Sequence, residues 1–134
     1  MTKWESTSGC RAKPSLESRP LLSGKVLVDL ESTFKVLANG TRLRLLHALV
    51  RDGELCVGEL GSKLDMTSQA VSNQLQRLAD RGIVGTRRSG LQIYYKVVDP
   101  CVVTLLERGW CLTEEAHARE LYESKDVPQE ELVG

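Results

Sequence analysis

The residues of this chain best able to bind an ion or react are four cysteines and two histidines: Cys10, Cys56, Cys101, Cys111, His47 and His117. Thiolates are soft donors that hold thiophilic ions, and they are also oxidisable. No two of these cysteines form C-x-x-C, so neither a zinc ribbon nor a thioredoxin-type redox site is indicated. Cys56 sits within "ELCVGEL" at the start of a short helix, where a lone buried cysteine ordinarily packs as a small apolar residue. Cys101 falls in the first turn of the last helix, where the helix dipole favours thiolate. Cys111 follows about 15 Å along the axis and about 80° around it. The two cannot chelate one ion within a single helix. His47 lies in an apolar helical stretch and reads as a core residue; His117, near Glu114, reads as part of a solvated helix face.

The elements that must hold these groups follow from hydrophobic period and punctuation. Residues 1–23 are rich in Ser, Pro, Gly and Lys/Arg without apolar period, and read as a flexible arm. Residues 24–123 read as one domain, and 124–134 as a disordered tail. Val26, Leu30, Phe34 and Leu37 recur at helical spacing. "ANGTRLRLLHALV" follows, with Asn39 as N-cap and a stripe of Leu43, Leu46, Leu49 and Val50. Gly53 breaks that helix. A short helix from about Val57 to Leu64 buries Leu60 and Leu64, and Thr67 caps a longer one running through Arg81, which Gly82 ends. "IVGTRRSGLQIYYKVV" then carries two β-prone runs, with Arg87, Arg88, Ser89 and Gly90 as the hairpin tip. Asp99-Pro100 opens a last helix whose apolar side is Val102, Leu105, Leu106 and Leu112.

Charge is unevenly spread. The chain of 134 residues has 18 basic and 18 acidic side chains, yet Thr67–Lys96 holds five bases against one acid and Asp99 to the end is net −6. A basic middle beside an acidic end suits a local polyanion site on a surface that elsewhere repels polyanions. No stretch is long and apolar enough for a membrane span, and the N-terminus lacks the apolar core of a signal peptide. The expected compartment is the cytoplasm, where cysteines are free thiols or metal ligands rather than disulfides. Enzyme readings lack support: there is no Gly-rich phosphate loop, no H-E-x-x-H and no nucleophile elbow.

A short helix, a tight turn, a longer helix and a basic hairpin together predict a mainly α fold with a small β-hairpin, the winged helix-turn-helix. With Val71, Leu75 and Leu78 buried, "TSQAVSNQLQRLADRG" exposes Ser68, Gln69, Ser72, Asn73, Gln76 and Arg77. These short hydrogen-bonding groups and one guanidinium are what base edges and phosphates in a major groove require. Thr67 opens the same helix, and Arg87 and Arg88 at the tip are placed to reach phosphates or an adjacent minor groove.

"LANGTRLRLLHAL", "ELCVGEL", "SQAVSNQLQRLADRGIV" and "GLQIYYKVVD" occur in order over about Leu30 to Glu115. Together they resemble the ArsR/SmtB family of metal-sensing winged-helix repressors. The resemblance implies a homodimer, joined through first and last helices, that binds double-stranded operator DNA and leaves it when metal binds. It places Ser68, Gln69, Ser72, Asn73 and Arg77 on the recognition helix and Arg87 and Arg88 in the wing. Gly40 stands where many members have proline, and Asn73 where several have histidine. In cadmium- and lead-responsive relatives a cysteine in a similar "ELCV" segment joins thiolates from an N-terminal arm, which here implies Cys56 with Cys10. A second cysteine usual in each segment is missing, so that four-thiolate site is incomplete. In relatives with zinc sites the ligands lie on antiparallel C-terminal helices. That arrangement implies Cys101 of one subunit near Cys111 of the other, with Asp99 and Glu115 aligned to ligand positions, Leu112 in place of a ligand histidine, and His117 as a weaker addition. Sulfur in place of nitrogen and oxygen selects thiophilic ions, ranked Hg(II) first, then Pb(II), Cd(II) and As(III). Two rivals remain: a regulator that senses thiol oxidation, and a metal-buffering or protein-interaction module that no longer binds operator DNA.

Overall fold

The computed structural model describes residues 12–126, with side chains through Leu121. Cys10 and residues 127–134 of the expected tail lie outside the described residues. The chain divides at Pro100/Cys101 into two compact units. The first holds a short 3-10 turn (Leu16–Ser18), α1 (Gly24–Leu37), α2 (Gly40–Asp52), β1 (Leu55–Cys56), α3 (Val57–Leu64), α4 (Ser68–Asp80), β2 (Val84–Ser89) and β3 (Gln92–Val97). The described part of the second is one long helix, α5, Pro100–Asp126.

Capping side chains set the helix starts. Ser23 accepts from the Val26 N–H at 3.3 Å, Asn39 from the Arg42 N–H at 3.0 Å, and Thr67 from the Ala70 N–H at 3.1 Å. Each supplies an acceptor to one of the otherwise unpaired first-turn donors. Gly53 at φ 93° closes α2, a backbone conformation that L side chains rarely adopt.

The core of the first unit is aliphatic: Leu45, Leu46 and Leu49 of α2, Leu60 of α3, Val71, Leu75 and Leu78 of α4, with Leu37, Leu55, Ile83 and Val84 closing it. Two sequence expectations shift here. The buried face of α2 is centred on Leu45, Leu46 and Leu49, while Leu43 and Val50 stay exposed at its margins. Leu46 and Leu49 fit either stripe, so period alone misplaced the face by one residue. His47 belongs to the opposite side of that helix and is exposed, so it is not a core residue. It lines a shallow cleft with Arg44, Ala48, Arg51, Asp52, Lys63 and Leu64. Leu64 is only half-buried.

The hairpin gains a third strand. The sheet order is β1-β3-β2, all antiparallel, with Leu55 opposite Tyr95 and Cys56 opposite Tyr94. Between β2 and β3, Ser89 pairs with Gln92, leaving Gly90 and Leu91 as a two-residue turn. Gly90 has φ 65°, the positive value that a type II′ turn needs at its first central residue. The expectation that Arg87 and Arg88 form the tip is therefore corrected: both lie within β2, opposite Tyr94 and Ile93.

The turn between α3 and α4 is tight. Asp65 adopts the left-handed region, and the Met66 N–H donates to the Gly61 carbonyl at 2.9 Å. A Cβ on Gly61 would meet the Met66 carbonyl oxygen at 2.7 Å. Gly61→Ala is therefore expected to destabilise the fold by about 1–3 kcal/mol, the cost of overpacking, and to displace α4 relative to α3. Urea denaturation at fixed protein concentration checks the first effect; a stability equal to wild type would show that the turn yields freely.

Candidate nucleic-acid interface and thiol positions

α4 is built so that one face has no choice of orientation. Val71, Leu75 and Leu78 are fully buried, and the helix period then leaves Ser68, Gln69, Ser72, Asn73, Gln76 and Arg77 exposed. Thr67 is exposed at the N-cap. Within this face the Gln69 amide donates to Asn73 Oδ1 at 3.0 Å, and the Gln76 amide donates to Asp80 Oδ1 at 2.8 Å. Each pair joins polar groups one helical turn apart on the exposed face. Among the described residues Arg77 has no hydrogen bond or ion pair, so its charge is not already spent.

Residues not singled out from the sequence fix this helix in place. Arg42 donates through Nη1 to Gln74 Oε1 at 2.9 Å and through Nε to the Val36 carbonyl at 2.6 Å. That one guanidinium ties the inner flank of α4 to the end of α1. Arg81 donates to Ser32 Oγ at 3.2 Å and makes a second attachment. Neither long-range contact has a sequence signal, because the partners are 32 and 49 residues apart.

The wing divides its two arginines. Arg87 forms a two-point ion pair with Glu54, with Nε to Oε2 at 3.3 Å, and its guanidinium carbon lies 4.9 Å from the centre of the Tyr94 ring. Hydrogen bonding to Glu54 raises its pKa further. Arg88 points into solvent and has no such partner among the described residues.

Among the described residues Cys56 and Cys111 are free thiols on separate elements. Cys56 is buried, 8% exposed, as the last residue of β1 and the N-cap of α3. Its N–H donates to Glu59 Oε1 at 3.0 Å, a reciprocal cap that the three-residue spacing could have revealed. Cys111 is a free, exposed thiol on α5. Cys101 is disulfide-bonded, which corrects the expectation that all four cysteines are free thiols or ligands. Glu115 is exposed, Asp99 is half-buried, and His117 Nδ1 lies 3.5 Å from Glu120 Oε2 on an exposed face. No group of three or more Cys, His, Asp or Glu able to hold a metal occurs among the described residues. No described helix is long and apolar enough to cross a membrane.

Known proteins place this geometry. Residues 37–87 match a helix-turn-helix domain family. The cadmium resistance transcriptional regulatory protein CadC of Listeria innocua is 33% identical over 85 residues, 63% of this chain and 71% of that protein. The crystal structure of the AntR antimony-specific transcriptional repressor is 55% identical, covers 82% of this chain and 99% of its own, and superposes with a TM-score of 0.69. The solution structure of a homodimeric winged helix-turn-helix domain from Mycobacterium bovis, described as a possible ArsR-family regulator, is 29% identical with a TM-score of 0.60, covering 72% of this chain and 92% of that one.

The bond from the Cys56 N–H holds the Glu59 carboxyl below the ordinary carboxylate range. A lowered folded-state value means that the ionised cap stabilises the fold above the unfolded-state pKa and loses that contribution as pH falls through the folded value. Glu59→Ala is expected to be less stable than wild type at neutral pH, with the difference narrowing in acid. Denaturation at about pH 7 and about pH 3 reads this, and a gap that stayed constant would show that ionisation of Glu59 is irrelevant to the cap.

Proposed function

Because the chain belongs to the ArsR/SmtB family of metal-sensing winged helix-turn-helix regulators, which are DNA-binding proteins and not enzymes, we propose that it is a cytoplasmic homodimeric repressor released from its operator by a thiophilic ion. The observation that carries the reading is the α4 face of Ser68, Gln69, Ser72, Asn73, Gln76 and Arg77, held outward by the burial of Val71, Leu75 and Leu78. A second copy is supported by α1, which leaves Val26, Leu27, Leu30 and Phe34 exposed, and by α5, which leaves Trp110, Leu112 and Leu121 exposed. Such apolar faces mark surfaces that another chain covers.

For the effector, the 55% identity to an antimony-specific repressor supports a trivalent metalloid, Sb(III) or As(III), ahead of the Hg(II) that the sequence ranked first. A trivalent metalloid is satisfied by three thiolates, and soft sulfur donors favour it over zinc. Cys10, Cys101 and Cys111 are the proposed set, assembled with the help of the second subunit. Cys56 is left out because its side chain is covered and its backbone already serves the α3 cap. Binding need change the relative stability of the two dimer geometries by only about 1–3 kcal/mol to lift repression.

A duplex selected from a random pool by the reduced protein should carry an inverted repeat, and Arg77→Ala should weaken binding to it by about 1–3 kcal/mol. Under reductant, antimonyl tartrate is expected to lower affinity tenfold or more, a coupling of about 1.4 kcal/mol. Cys101→Ser and Cys111→Ser should abolish that response, and Cys56→Ser should preserve it. Unchanged anisotropy with Sb(III), As(III), Hg(II), Pb(II) and Cd(II) alike would end the sensor proposal and leave the DNA reader standing. The disulfide at Cys101 favours a second reading, release by thiol oxidation; peroxide acting in the presence of chelator, with no response to metalloid, would establish it instead.

A further inference from the structure

We infer that Arg87 is a positioning residue that locks the wing to the start of α3, and that Arg88 carries the wing's phosphate contact. The inference rests on the operator-binding reading and says which cation does what within it. Glu54 immediately precedes β1, Tyr94 lies on β3, and Arg87 lies on β2. Tyr94 is the backbone partner of both Cys56 and Arg87, so one row of side chains crosses all three strands. Arg87 spans that row, paired at two points with Glu54 and stacked over Tyr94. The side chains of Arg87 and Glu54 are only 24% and 34% exposed, so solvent and salt screen the pair less than an open surface bridge. For Arg87 to reach a phosphate it would have to give up a forked carboxylate contact and an aromatic face together.

Arg88 has no such ties. Side chains alternate across a strand, and Arg88 opposite Ile93 is exposed with no polar partner among the described residues. The row also joins two parts of the reading head. Cys56 caps α3, α3 leads through the Gly61–Met66 turn into α4, and the wing is pinned to the same point. The span from Arg88 to Arg77 is thereby set before DNA arrives, which lowers the ordering cost of binding.

The test uses the full chain and a duplex selected by the wild-type protein, with affinity measured across a range of salt. Each phosphate contact contributes about one unit to the slope of log affinity against log salt. Arg88→Gln is expected to lower that slope by about one unit, whereas Arg87→Gln weakens binding with the slope unchanged. Glu54→Arg and Arg87→Glu should each weaken binding by about tenfold or more, and the swapped pair E54R/R87E should recover to within about threefold of wild type. A slope loss of about one unit in Arg87→Gln, or a swapped pair no better than Arg87→Glu alone, would overturn the inference and leave operator binding intact. If the swap does not fold, Arg87→Lys decides. It keeps the charge but loses the fork, so weakened binding at constant slope supports positioning and undiminished binding overturns it. A wild-type protein that selects no duplex at low salt would instead overturn the operator reading, and this inference with it.

Discussion

Burial of Val71, Leu75 and Leu78 against Leu45, Leu46, Leu49 and Leu60 is the constraint from which the rest of the structure follows. Fully removing one such side chain from water is worth roughly 1.5–3 kcal/mol. A helix of 13 residues carrying three of them cannot roll about its axis without exposing several kcal/mol of apolar surface. The polar face is outward for that reason, and not because polar residues seek solvent. Arg42, reaching both Gln74 and the Val36 carbonyl, then fixes the remaining freedom, the slide of α4 along the core.

The local signals in the sequence reached far. Asn39 and Thr67 are caps where short polar residues precede an apolar period, and Gly53 ends α2 because only glycine takes its backbone angle at low cost. The exposed face of α4 was legible for the same reason: three apolar positions at helical spacing define the opposite face. What stayed hidden is what depends on partners distant in sequence. β1 is two residues long, too short for an alternating pattern, and exists because β3 offers it a paired edge. The position of the hairpin turn depended on choosing between polar residues and glycine. Gly90 won because the first central residue of the turn needs positive φ, which moved Arg87 and Arg88 from the tip into β2. His47 looked like core because its neighbours are leucines, yet it sits on the opposite side of α2 from Leu45, Leu46 and Leu49.

Cys56, the most suggestive single residue of the sequence, turns out to join two elements. It ends a strand, starts a helix, and has its N–H satisfied by Glu59. A small, weakly polar side chain suits a position that must be covered yet still cap a helix. The thiols of α5 pose a different, geometric question. Cys101 and Cys111 cannot meet along one helix axis, and the described residues of a single chain hold no cluster that could replace a second subunit. The proposal that a second subunit completes the site came from the family resemblance and not from spacing along one chain. On that proposal, an ion bound across the interface would bias how the two subunits sit, which is the variable that the spacing of operator half-sites would read.

The charge distribution sets the scale on which such a bias acts. Across α4 and the wing, Arg77 and Arg88 have no polar partners among the described residues, while Arg87 and Arg81 are engaged with Glu54 and with Ser32. Few free cations there mean few phosphate contacts, and so a modest electrostatic share of affinity with a shallow salt dependence. Under the proposed operator binding, one subunit alone would hold DNA weakly, and affinity would depend on the geometry between two copies more than on the strength of either. A protein that bound through a dense basic patch would tolerate a small change in that geometry. This chain, with a net charge of zero and an acidic C-terminal end, has little long-range attraction for a polyanion to fall back on, so under the proposed mechanism a coupling of only about 1–3 kcal/mol would separate bound from released.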